Sequence, residues 1–278
     1  MNENETATAR RTKPALEVYR CALRNQIRDG LLWGSSLVCL VLMVAALWPS
    51  LRDSGTLNDL SGSLPGGTAE AFGLQEFGTP AGYLKGNLYA VLVPLMLCWF
   101  GISLATSSTA GDEDAGRLEL LLVLPIGRRT VFLARSLASM TTLLLVGIVT
   151  WISLIACCAL FDLDVSFEGM ASVSAMVTLL AMLHVGVTFL VSGWGARRGA
   201  VLGITSTVMM AGYVLQAFLP LSDALKDWAQ VSPWQWALGA DPLSGELDLI
   251  AAAALTVLTL VLTALGAQLA DRRDVRSV

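Results

Sequence analysis

Six stretches of the chain contain no Asp, Glu, Lys or Arg: Leu31 to Trp48, Gly86 to Ser107, Leu137 to Phe161, Gly169 to Gly193, Gly199 to Leu219 and Leu249 to Ala270. Each is about as long as the 17 to 25 residues a helix needs to cross some 30 Å of hydrocarbon. Lipid offers no hydrogen bonds to backbone groups, so spans of this kind must be helices that satisfy themselves. The pattern therefore predicts an all-α polytopic membrane protein with six transmembrane helices. Residues 31–270 form the membrane domain, 1–30 a cytoplasmic leader and 271–278 a cytoplasmic tail.

The leader is patterned differently. Met1 to Thr12 is polar and is expected to be disordered. From Pro14, a residue favoured at helix starts, Leu16, Tyr19, Leu23 and Ile27 recur at helical spacing beside a polar stripe of Glu17, Arg20, Arg24 and Arg28. This predicts an amphipathic helix along the inner membrane surface, which either anchors the first span or meets a partner. The first apolar run begins only at Leu31 and is long enough to stay as an anchor instead of being cleaved as a signal peptide.

Cations set the orientation. With the N-terminus inside, the cytoplasmic segments hold Arg10, Arg11, Lys13, Arg20, Arg24, Arg28, Arg117, Arg128, Arg129, Arg135, Arg197, Arg198, Arg272, Arg273 and Arg276. Only Arg52, Lys85 and Lys226 remain outside. The positive-inside rule then places both termini in the cytoplasm of a cell membrane, the plasma membrane of a prokaryote by expectation. The composition agrees with a membrane protein: 55% hydrophobic residues, 14% charged, and a mean hydropathy of +0.65. No basic run suggests nucleic acid.

Reactive groups are sparse. Cys39, Cys98, Cys157 and Cys158 lie within spans and Cys21 on the leader helix, so all five read as small packing residues. One histidine in the whole chain leaves metal binding without support. That histidine, His184, is read as a neutral side chain bonded to a neighbouring helix in preference to a proton relay. Pro94 should kink the second span near Val91 to Leu95. Of the two longer outer loops, the second carries Trp228, Trp234 and Trp236, read as an interfacial aromatic belt in preference to a substrate gate.

The inner loop between spans two and three carries the most specific pattern. Asp112, Glu113 and Asp114 precede Gly116, Glu119, a leucine run, Pro125 and Gly127, and Arg128 and Arg129 then begin the next apolar span. Acidic residues suit the start of a helix, where the macrodipole favours negative charge. This arrangement resembles the inner loop of ABC-2 type permeases, the membrane subunits of ATP-driven exporters. Asp112 and Asp114 stand where glutamates are usual, Gly127 where serine is frequent, and Arg117 where threonine is common, the departure that bears most on a docking surface. A second similarity lies at SPWQWALGADPL (Ser232 to Leu243) and at DRRDV (Asp271 to Val275).

The resemblance implies a permease that pairs with a second permease subunit, as homodimer or heterodimer, and with two copies of a separate P-loop ATPase that binds ATP and Mg. It implies that the loop is a cytoplasmic coupling helix, with Asp112, Glu113, Asp114, Gly116, Glu119, Pro125, Arg128 and Arg129 contacting the ATPase. It also implies a central route lined by spans two and five, with Pro94, Met96, Trp99, Phe100, Thr205, Met209, Met210 and Tyr213 as candidates. No G-x-x-x-x-G-K-[ST] occurs in the chain, so no nucleotide cofactor and no catalytic residue are assigned to it. A route without fixed charge suits an amphipathic or hydrophobic small molecule such as a drug, an antibiotic or a membrane lipid. The rival expectation is a secondary carrier or channel that works without an ATPase.

Overall fold

The computed structural model describes residues 3–54, 78–114, 127–218, 228, 230–245 and 247–272. Among these the regular elements are helical. They run α1 (Glu3–Ser54), α2 (Pro80–Leu84), a π-helical turn (Lys85–Tyr89), α3 (Leu92–Ser107), α4 (Ala110–Asp114), α5 (Arg128–Leu160), α6 (Phe167–Gly193), α7 (Arg198–Phe218), α8 (Pro233–Leu238), a 3₁₀ turn (Pro242–Ser244) and α9 (Leu249–Arg272). Six helical stretches are long and apolar enough to cross a membrane: α1 from Pro14, the run from Pro80 to Asp114, α5, α6, α7 and α9. The six expected spans are therefore present; the last three keep near-identical limits, while the first begins at Pro14, the second runs from Pro80 to Asp114, and α5 starts nine residues before Leu137.

α6 is the centre of the bundle. Of its most apolar window 67% is buried within the chain, against 17% for α7, so α6 is wrapped by protein while α7 turns most of its surface outward. α3, α5, α7, α8 and α9 all pack on α6. The approach of α9 depends on small residues: a Cβ at Gly193 would lie on the backbone of Gly266, and one at Gly186 would meet Thr259 O. Close backbone contact is how helices associate where the hydrophobic effect is weak. Buried hydroxyls turn inward to their own helices, as when Thr188 donates to His184 O at 2.7 Å and Thr259 to Leu255 O at 2.7 Å.

The leader departs from expectation. It does not form a separate surface helix, because α1 continues unbroken through Gly30 into the first span and lies along α5. The buried face is also rotated from the expected stripe. Val18 and Gln26 are buried, whereas Leu16 and Ile27 are about half exposed. Val18 packs with Val131 and Ala134, and Tyr19 Oη lies 3.2 Å from Thr141 Oγ1. Packing on α5, instead of a membrane surface, decides which face is covered.

The second span breaks just ahead of Pro94. Ala90 N donates to Lys85 O at 2.7 Å, a five-residue reach that makes the π turn, and Val91 leaves helical geometry at φ −139°. The ring of Pro94 cannot continue a ladder to Ala90 O, and it sits in the first turn of α3, where a missing N–H costs nothing.

The segment before α9 corrects the aromatic-belt reading for one tryptophan. Trp228 is exposed, but Trp234 is 1% exposed and lies edge-on to His184 and Tyr213, with its ring against Gly212. Ser232 caps α8 by accepting from Trp234 N and donates to Gly212 O at 3.3 Å. Lys85 and Asp241 form a half-exposed ion pair at 2.9 Å, tying this segment to the start of the second span.

Candidate functional site

The end of the second span at Ser107 is where several helix ends meet. α3 ends at Ser107, a tight turn follows, and α4 begins at Ala110, with Asp112 N and Glu113 N both donating to Thr109 O. Three side chains of this turn reach three different helices.

Asp112 reaches α5. Its Oδ2 accepts from Arg135 Nη2 at 2.9 Å, and Arg135 Nη1 donates to Ser108 O at 2.6 Å. The Arg135 side chain is only 8% exposed and that of Asp112 20%. A guanidinium at that depth is stable only with acceptors in good geometry, and the turn supplies both a carboxylate and a carbonyl.

Thr109 reaches α6, with its Oγ1 2.9 Å from Ser192 Oγ in the last turn of that helix. Asp114 reaches α7: its Oδ2 accepts from Arg198 N at 3.1 Å, at the first residue of the helix. A carboxylate there satisfies one of the orphan amides of a helix N-terminus and faces the positive end of its dipole. Gly111 lets this happen, since a Cβ there would stand 3.3 Å from Thr106 O and 3.8 Å from the Arg198 side chain.

A fourth connection runs to α1. Gln26 Nε2 donates to Ser139 Oγ at 3.0 Å, its Oε1 accepts from Thr142 Oγ1 at 2.9 Å, and Ser139 Oγ is 3.4 Å from Ser108 Oγ. Beside this network a cleft of about 670 Å³ opens between α1 and the turn, lined by Val18, Cys21 and Ala22 as well as by Asn25, Asp29 and Asp112. Among the described residues the geometry is one of structural bonds between helix ends. It makes a hub of hydrogen bonds and one ion pair that joins the ends of spans two to five and the leader part of α1.

The predicted coupling residues divide accordingly. Asp112 and Asp114 are in the hub, and Glu113 is the half-buried residue between them. Arg128 and Arg129 open α5, where Gly127 O accepts from Thr130 N. Gly116, Glu119 and Pro125 lie outside the described residues, as does the stretch that would make the rest of a coupling helix. Four members of the hub, Arg135, Ser139, Thr142 and Gln26, were not singled out as site residues in the sequence. Arg135, Ser139 and Thr142 form a polar stripe at i, i+4 and i+7 on α5, and that spacing was the available signal. Gln26 carried no such signal, because its partners are more than a hundred residues away.

The candidate route residues share no single face. Pro94, Phe100, Thr205 and Met209 are buried within the subunit, Met96 and Tyr213 are half-buried, and Trp99 and Met210 are exposed. Phe100 stacks on Trp33 with ring centroids 5.5 Å apart, and Thr205 donates to Val201 O. His184 bonds within its own helix, its Nδ1 2.8 Å from Leu180 O, and not to a neighbouring helix as expected. The reason is local: position i−4 of a helix presents a carbonyl to any short donor.

The sequence profile of the ABC-2 family transporter proteins matches residues 16–219, nearly three quarters of the chain, from the leader part of α1 through the fifth span. No curated protein matches the chain. With six apolar helices, a largely buried polar hub where the second span ends and this match, the chain belongs to the ABC-2 transporter family and is a multi-pass membrane component of a transporter, not itself catalytic.

Proposed function

We propose that the chain is the permease subunit of an ATP-driven exporter, moving an amphipathic or hydrophobic small molecule out of the cytoplasm or inner leaflet by alternating access. The observation that carries this reading is the hub: the acidic turn that would dock on an ATPase is bonded to α5 through Asp112–Arg135 and to α7 through Asp114–Arg198. A push on such a turn is passed to the third span through the largely buried Asp112–Arg135 pair, which resists separation, and to the fifth span through the exposed cap that Asp114 makes on the amide of Arg198. The energy comes from two copies of a separate P-loop ATPase, since the chain has no phosphate-binding loop of its own.

A second permease subunit completes the route. In a paired arrangement the outward-turned α7 and the exposed Trp99 and Met210 face the shared path, while Phe100, Thr205 and Met209 set the shape of the helices behind them. The hub side is cytoplasmic by the distribution of arginines. Apolar lining favours drug-like or lipid-like cargo over bare ions.

The test is to identify a P-loop ATPase that copurifies with the chain, coexpress the two, and measure transport and substrate-stimulated ATP hydrolysis. Glu119→Gln and neutral replacements of Asp112, Glu113 and Asp114 should lower both while membrane insertion persists. Unchanged transport in well-expressed variants overturns the reading. Transport by the chain alone, with no ATPase present, favours the alternative of a secondary carrier or channel.

A further inference from the structure

The cleft beside the hub occupies one flank of the contact between α1 and α5, and the other flank is apolar. There Leu16 and Tyr19 of α1 and Thr130, Leu133, Ala134 and Leu137 of α5 line a groove of about 750 Å³. Leu16, Leu133 and Leu137 remain 47%, 38% and 57% exposed, so the other described residues do not cover them.

Depth and charge say what does. The charge-free run of α5 begins at Leu137, while Arg128 and Arg129 open the helix about two turns earlier. The groove thus straddles the boundary between headgroups and hydrocarbon. Arg20 stands one turn beyond Leu16 on α1, and Arg129 one turn before Leu133 on α5; both are exposed. Over 15–24 and 128–137 the charged residues are Glu17 against Arg20, Arg24, Arg128, Arg129 and Arg135, and Arg135 is turned away toward Asp112. An apolar slot at the boundary with a cationic rim matches a molecule with an acyl chain and a negative headgroup.

We propose that this groove is a binding site for one anionic glycerophospholipid, its acyl chain along Leu133 and Leu137 and its phosphate between Arg20 and Arg129. Ala134 is the floor that leaves room for the chain. The site stands apart from the hub and does not depend on the transport reading.

The test uses the full chain, purified in mild detergent with phosphatidylglycerol and phosphatidylcholine at equal mole fraction, and counts retained lipid by native mass spectrometry. Wild type should retain phosphatidylglycerol with a preference of about tenfold or more. R20Q/R129Q should bring the two lipids near parity, R20K/R129K should restore most of the preference, and R197Q, at an exposed arginine elsewhere, should change nothing. A134F should reduce retention of both lipids, and excess inorganic phosphate should displace neither. Equal retention by wild type, or a preference that survives R20Q/R129Q, overturns the proposal. So does A134F altering subunit or ATPase association while lipid retention holds, which would give the groove to a protein.

Discussion

Asp112 and Arg135 meet at 2.9 Å across the gap between the end of the second span and the third-span helix, with the arginine side chain almost withdrawn from solvent. Neither residue belongs to the apolar core of a span, yet together they set how two spans are joined. Removing either partner of such a pair costs on the order of 3 kcal/mol, because the other charge stays at depth. D112N and R135Q should each lower the thermal midpoint of the detergent-solubilised chain. A double-mutant cycle with D112N/R135Q should show coupling of about 1 to 3 kcal/mol. Additive losses would mean that the pair is not a mechanical unit.

Asp114 should separate stability from coupling. Its bond to Arg198 N caps α7 at an exposed position. D114A should cost about 1 kcal/mol of stability, and D114N much less, since asparagine caps almost as well. If the cap transmits force to the fifth span, D114A should cut substrate-stimulated ATP hydrolysis far more than its stability loss would explain, which side-by-side thermal and hydrolysis assays would reveal.

Gln26 offers a test of polar packing in the membrane-proximal bundle. Its two bonds to α5 are each worth roughly 0.6 kcal/mol by the average for helix pairs in lipid. Q26L should therefore cost about 1 kcal/mol, and Q26A more, because it also opens a cavity beside Ser139 and Thr142. Chemical denaturation in mixed micelles would measure both.

Two glycines should respond in opposite ways to alanine. Gly193 lies against the backbone of Gly266, so G193A must push α6 and α9 apart and should cost about 1 to 3 kcal/mol. A Cβ at Gly34 meets nothing within 4 Å, so G34A should be neutral or stabilise by up to about 1 kcal/mol through helix propensity. Folded yield and thermal midpoint of the two variants would decide the matter.

The tryptophans before α9 should likewise divide. W234A empties a fully buried site beside His184 and Tyr213 and should cost about 3 to 5 kcal/mol, while W228A, at an exposed ring, should stay within about 0.5 kcal/mol. Equal effects would restore the interfacial belt for both.

What was legible in the one-dimensional pattern and what was not follow from the kind of physics involved. The six spans could be read because the transfer of a long uncharged stretch into hydrocarbon is a sum over neighbouring residues, and Leu249 to Ala270 differs from α9 by only its last two residues. The break ahead of Pro94 was legible for the same reason, since a proline ring acts on the carbonyl four residues back. The acidic cluster stood out between the second and third spans, but the groups it bonds to did not.

By itself, then, the sequence determined that this chain is a six-span helical membrane protein with an acidic turn after its second span, because hydrophobicity, charge and helix breaking act locally. Only the tertiary structure decided that Asp112 takes Arg135 while Asp114 takes the amide of Arg198, that Gln26 bonds to α5, that α1 buries Val18 in place of Leu16, and that Trp234 goes inside while Trp228 stays out. These choices depend on which helix face meets which across gaps of 23 to more than 100 residues, and a hydrogen bond has a geometry that no local pattern along the chain contains.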